Sequence, residues 1–137
     1  MKYVAPAMRD RGGGAIINTS SVAGLGAAPD IIAYCTSKHA VVGTTKWVAV
    51  EWARHNTRVN AVCPAPIETR MMRSLEHGLN PDDPEAIHQA LAADIPMGWY
   101  GELAEVAALV VFLASRDALY STGGYTLEGG SRTWQTR

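Results

Sequence analysis

The chain has 137 residues, and with 47% of them apolar it can bury one core without disulfides or metal, so a single domain over residues 1–137 is expected. Twelve basic against thirteen acidic side chains leave a net charge of -1, which argues against nucleic acid as a partner and against an acidic tail. The two cysteines, Cys35 and Cys63, sit in apolar surroundings without CxxC spacing and read as buried thiols of a reducing, cytoplasmic setting rather than a disulfide or zinc site.

Residues 1–10 read as the last turns of a helix, and Pro6 and Arg9 interrupt the apolar run that a signal peptide would need. Gly12, Gly13 and Gly14 then stop the helix and begin a turn. Ala15 to Thr19 is a short apolar run with β-branched residues, the pattern of a strand buried on both faces. From Ile32 to His55 runs a long helix that is apolar almost all round, so one face is expected on the sheet and the other, carrying Val41, Val48 and Trp52 or their neighbours, against a helix or a second subunit. Self-association into a homo-oligomer is the corresponding expectation.

Arg58 to Cys63 reads as the next strand, ended by Pro64 and Pro66. Two short helices follow, near 67–77 and 84–93, and then an amphipathic helix from Glu102 to Ser115. Its apolar stretch from Val106 to Ala114 is too short to span a bilayer, so no membrane role is expected. Gly123 to Leu127 leads into a last strand. Strand, helix, strand, helix, strand implies an α/β fold with a parallel sheet and flanking helices.

Chemistry concentrates at Ser21, Tyr34 and Lys38. Tyr34 and Lys38 are four residues apart on the long helix and share a face. A free phenol titrates near about 10, and a neighbouring ammonium favours its ionised form, so Lys38 would help Tyr34 to cycle a proton. Ser21 follows a strand whose C-terminal end borders the ligand crevice of an open parallel sheet, where its hydroxyl can hold a substrate oxygen. Each residue alone has a plainer reading; Ser21, for instance, is also an ordinary turn or N-cap serine. Taken together, the three suit proton transfer at an alcohol or ketone.

Gly14-Ala15-Ile16-Ile17-Asn18-Thr19-Ser20-Ser21-Val22-Ala23-Gly24, then Tyr34-Cys35-Thr36-Ser37-Lys38, then Val59-Asn60-Ala61-Val62-Cys63-Pro64 resemble the short-chain dehydrogenase/reductase family, and the resemblance runs across essentially the whole chain. It implies a Rossmann-like sheet that lacks its N-terminal strands here, and NAD or NADP as cofactor. It also implies Tyr34 as general acid/base, Ser21 (not Ser20) as the residue steadying the substrate oxygen, and Lys38 as a second contact to the nicotinamide ribose. The family's Pro-Gly turn and nearby threonine, which approach the nicotinamide, correspond to Pro64, Ala65 and, through Ile67, Thr69. Ala65 departs from the pattern: glycine there would permit positive φ and close cofactor approach. Glu128-Gly129-Gly130 resembles the family's Asp-Gly-Gly, and Trp99 stands where a basic residue is common.

The family's glycine-rich phosphate turn, cofactor selector and catalytic asparagine have no counterpart in the sequence. Gly12–Gly14 is no substitute, because it precedes a strand whereas a phosphate cradle follows one and opens a helix. The expected function is therefore NAD(P)-dependent interconversion of a small secondary alcohol and a ketone. The alternative is a non-catalytic remnant that serves as an association module. His77 and His88 have no metal spacing, Glu102 and Glu105 read as helix-start carboxylates, and the absence of a GxSxG turn argues against a serine hydrolase. Met71, Met72, Leu75, Leu79, Leu91, Met97, Trp99 and Tyr100 lie where the resembled family folds over its substrate, and read equally as an apolar lid or as the filling of two short helices.

Overall fold

The computed structural model describes residues 1–130, apart from the side chains of Leu127 and Glu128; the aspartate-like match at Glu128 therefore lies outside what is described. The elements are α1 (Val4–Asp10), β1 (Gly14–Thr19), α2 (Ile32–Trp52), β2 (Thr57–Pro64), α3 (Arg70–Leu79), α4 (Pro84–Asp94), α5 (Leu103–Ala114) and β3 (Tyr125–Glu128). All three strands are parallel, in the order β1-β2-β3, with Ile16 opposite Val59 and Val62 opposite Thr126. The α/β fold with a parallel sheet is as the sequence predicts.

β2 forms the centre because it is apolar on both faces and has a neighbour on each side. Val59, Ala61, Val62 and Cys63 have no exposed surface, and Val42 of α2 packs with Ala61 and Cys63. Two polar residues of β2 align the elements around it. Arg58 donates to the carbonyls of Leu113 at 2.7 Å and Ser115 at 2.9 Å, satisfying the end of α5. Buried Asn60 donates to Ser121 O at 2.7 Å and accepts from Gly124 N at 3.2 Å, which sets the approach to β3.

The expectations about burial are corrected at β1 and at α5. β1 is only partly buried rather than covered on both faces, because it lies at one edge of the described sheet and pairs with β2 alone. On α2 the outward apolar face is carried by neighbours of the named residues, Trp47 at 73% exposure and Val50 at 75%, together with Ile32, while Val41, Val48 and Trp52 are half-buried. The register is set by Cys35, Val42, Thr45 and Ala49, which take the inner face at helical spacing. α5 buries only Leu113 and leaves Leu103, Val111 and Phe112 exposed, so it is apolar nearly all round rather than amphipathic.

Glu102 and Glu105 form a capping box at the start of α5, which is the structural role expected of them. Both cysteines are buried and neither is in a disulfide. Among the described residues no helix is long and apolar enough to cross a membrane.

Candidate active site

The C-terminal end of β1 and the first turns of α2 are tied together by two adjacent serines with different duties. Ser20, only 3% exposed, donates its hydroxyl to the Lys38 carbonyl at 2.9 Å. Gly24 completes this junction, since a Cβ there would come within 2.7 Å of the same carbonyl oxygen. Ser21 is more open and caps a short 3-10 turn, its Oγ accepting from Ala23 N at 3.2 Å. The plain N-cap reading of Ser21 is thus correct, but it uses only an acceptor site and leaves the hydroxyl hydrogen free to donate elsewhere.

Tyr34 lies on the first turn of α2 and is 38% exposed, open enough for a ligand to reach its phenol. Lys38 follows one turn later, with its ammonium 5.4 Å from the Tyr34 ring centroid. The same ammonium donates to Thr19 O at 3.3 Å, so the charge is anchored to the end of β1. The fold therefore brings the Tyr34–Lys38 pair to the strand end that carries Ser20 and Ser21.

The second strip comes from the end of β2. Ala65 is absent from the positive-φ residues, which outside glycine are Asp30 and Asn56, so alanine occupies that position without backbone strain. Its methyl packs toward Gly129, where a Cβ would lie 3.1 Å away. Ile67 forms a parallel bridge with Gly101 that uses the carbonyl of Pro66 and the amide of Glu68. The amide and carbonyl of Ile67 itself consequently project to the other side, an adjacent donor and acceptor. Thr69 caps α3 by accepting from Met72 N at 3.3 Å, again leaving its hydroxyl hydrogen free. A cavity of about 220 Å³ opens beside this strip, lined by Ala65, Pro66, Ile67, Met97 and Trp99 among others. The larger surface groove, about 560 Å³, involves Arg9, Glu51, Arg54 and His55 at the far end of α2, roughly 30 Å along the helix from Tyr34, and has no part in this chemistry.

A buried polar cluster in the 67–101 segment was not predicted. Glu76 of α3 is 1% exposed; its Oε2 accepts from Arg73 Nη1 at 3.1 Å and its Oε1 from His88 Nδ1 at 3.0 Å. Arg73 also pairs with Glu68 at 2.7 Å, His88 Nε2 lies 3.6 Å from Glu68, and the Tyr100 ring packs against His88 with centroids 4.2 Å apart. The Tyr100 hydroxyl is buried without a partner at strict hydrogen-bond geometry, yet Glu76 is near enough to act on it. Burial would push the Glu76 carboxyl up, but His88, Tyr100 and Arg73 together outweigh it and hold its pKa below the ordinary value. Burial, and then the negative charge of Glu76 and Glu68, push the Tyr100 phenol well above its ordinary range. The one signal in the sequence is the Arg73–Glu76 spacing of three, which is common on solvated helix faces.

Residues 1–130 match the family model described as enoyl-(acyl carrier protein) reductase, one of the short-chain dehydrogenase/reductase models. The chain belongs to the short-chain dehydrogenase/reductase family. Within it, oxidoreductase UcpA of Salmonella typhimurium is 43% identical over 132 residues, which are 95% of this chain and 50% of that protein. The crystal structure of levodione reductase superposes with a TM-score of 0.90 at 36% identity, covering 94% of this chain and 50% of that one. L-sorbose reductase from Gluconobacter frateurii, solved with NADPH and L-sorbose, superposes with a TM-score of 0.86 at 31% identity over 97% of this chain and 52% of that one. The chain thus spans about half the length of the relatives it matches, and its three-stranded sheet corresponds to part of their Rossmann-like fold.

Proposed function

We propose that this chain carries the proton-handling part of an oxidoreductase that interconverts a small secondary alcohol and a ketone with NAD(H) or NADP(H). The observation that carries this reading is the Tyr34–Lys38 pair on α2, anchored by Lys38 to the end of β1 beside Ser21. In the reducing direction the Tyr34 hydroxyl gives its proton to the substrate oxygen; in the oxidising direction the phenolate takes it back. Ser21 donates to the same oxygen and orients it, while Lys38 contributes positive charge and a donor for ribose hydroxyls. The nicotinamide, when bound, supplies or accepts the hydride at the carbonyl carbon.

The residues present suit the nicotinamide end of such a cofactor. A carboxamide needs one acceptor and one donor side by side, which Ile67 offers through its backbone, and Thr69 adds a free hydroxyl hydrogen. Pro64 and Ala65 form the adjoining wall. The pyrophosphate is another matter: Gly12 and Gly13 precede β1 and Gly14 begins it, with Gly13 turned against Asn56, so the run leads into a strand and is not a phosphate cradle.

Tyr34→Phe, made in a version that also carries the cofactor-binding strands of a full-length relative, is expected to lower turnover about a hundred- to ten-thousand-fold with circular dichroism unchanged. Retained turnover would falsify the assignment. A second reading, a non-catalytic association module, is favoured by the outward Ile32, Trp47 and Val50 of α2, which suit burial against a second copy. Calorimetric titration of the 137-residue chain with NADH and NADPH separates the two. Weak or no binding by this length alone is expected, and millimolar or tighter affinity would reject the module.

A further inference from the structure

α3 is built inside out. An amphipathic surface helix turns its apolar stripe to the core and its charges to water. On α3 the fully buried residue is Glu76, while Met71, Leu75 and Leu79, one turn apart along the helix, are exposed. α4, its packing partner, has no buried residue at all. Apolar contact here comes from half-buried residues, Met72 of α3 and Ile87 and Leu91 of α4, while the fully buried contact is polar.

The polar contacts converge on one carboxylate. Arg73 of α3 donates to one oxygen of Glu76, His88 of α4 donates to the other, and the buried Tyr100 hydroxyl of the segment before α5 lies beside them. Arg73 extends the set to Glu68, which adjoins Ile67 and Thr69. With Nδ1 of His88 donating to Glu76, the 3.2 Å approach of Arg73 to that same nitrogen is not a hydrogen bond and is held only by the carboxylate between them. An ionised carboxylate, which only accepts, satisfies every donor aimed at it. Protonation removes the charge that holds Arg73 and obliges His88 to shift its hydrogen from Nδ1 to Nε2 if it is to keep the contact, so the set weakens.

We propose that Glu76 is the centre of a carboxylate clasp that closes α3 and α4 on the 67–69 segment when ionised and releases them when protonated. The clasp stands independently of the oxidoreductase reading, which enters only in what residues 67–69 would contact. The groups facing Glu76 are Arg73 from its own helix, His88 from α4 and Tyr100 from the segment before α5, with Glu68 on the far side of Arg73 and His88. Because Glu76 is held below its ordinary 4.5, its contribution is fully present above that value and is lost as pH falls through the folded-state value.

Amide hydrogen exchange on the intact chain tests this without cofactor or substrate, so its failure is distinct from failure of the oxidoreductase reading. Between pH 7 and pH 3, after correction for intrinsic rates, peptides covering residues 70–79 and 84–94 are expected to lose about tenfold in protection. Those covering β2 and residues 42–49 of α2 are expected to keep theirs. Glu76→Gln is expected to show the weakened lid already at pH 7 and no further acid step, and Glu76→Asp, which keeps the charge, to recover part of the protection. The clasp is overturned by wild-type protection that is flat with pH, by Glu76→Gln behaving as wild type, or by loss that extends to β2 in either protein.

Discussion

The β1–α2–β2 unit and the 67–101 segment are held by opposite chemistry. In the first, Val59, Ala61, Val62 and Cys63 are sealed from water and the polar groups that matter, Ser20 and Lys38, bond to backbone across the strand-helix junction. In the second, Ile95 and Tyr100 are buried, but the fully buried residue of α3 is a carboxylate and its Met71, Leu75 and Leu79 face out. Apolar burial is insensitive to protonation and is shared by every element that touches it. An ion-centred contact depends on the charge of one group and gives way locally. The tyrosine and lysine thus stand on the part of the molecule held by apolar burial, and the segment beside Ile67 and Thr69 adjoins the part that the proposed clasp would release.

The largest effect that would sharpen this contrast is expected at Val62. Val62→Ala leaves a void in the centre of β2, where neighbours on both faces restrict collapse, and should cost roughly 1–3 kcal/mol. The loss should be global, with α2, β1 and β3 melting together in a urea titration followed by both tryptophan fluorescence and far-ultraviolet circular dichroism. If the two probes separate, the sheet and α2 are not one cooperative unit, and the contrast with the lid collapses.

The first of these regions was largely legible in the sequence, because its physics is local and periodic. β-branched runs bounded by Gly and Pro marked β1 and β2, and the spacing of Tyr34 and Lys38 on one helix face required no tertiary knowledge. What failed there depended on neighbours: β1 has the composition of a central strand but sits at an edge, and α2 is so uniformly apolar that its outward residues, Trp47 and Val50, could not be told from Val48 and Trp52. In the lid the helices were legible but their orientation was not. Met71, Leu75 and Leu79 read equally as an apolar lid or as helix filling, and only the meeting of Glu76 with residues 12 and 24 positions later, His88 and Tyr100, decides that they face outward. Sequence patterns see a charge as something to expose, and partners that distant leave no periodic trace. The φ part of the Ala65 departure was likewise resolved only with the backbone in hand, because alanine there does not adopt positive φ.

The smallest expected effect is at Met71, and it presses hardest on the inside-out reading of α3. Met71 lies in the first turn of α3 and is 65% exposed, so truncation removes little buried surface. Alanine is the better helix former by a small margin, which offsets the contact that is lost. Met71→Ala should therefore leave stability within about 0.5 kcal/mol of wild type by urea denaturation, and leave hydrogen exchange of α4 unchanged. A cost above about 1 kcal/mol would mean that in solution something covers this stripe. Repeating the measurement at tenfold lower protein concentration then identifies the cover: a cost that shrinks on dilution points to a second copy, and one that persists means that α3 packs with its apolar face inward and that apolar burial, not Glu76, holds the lid.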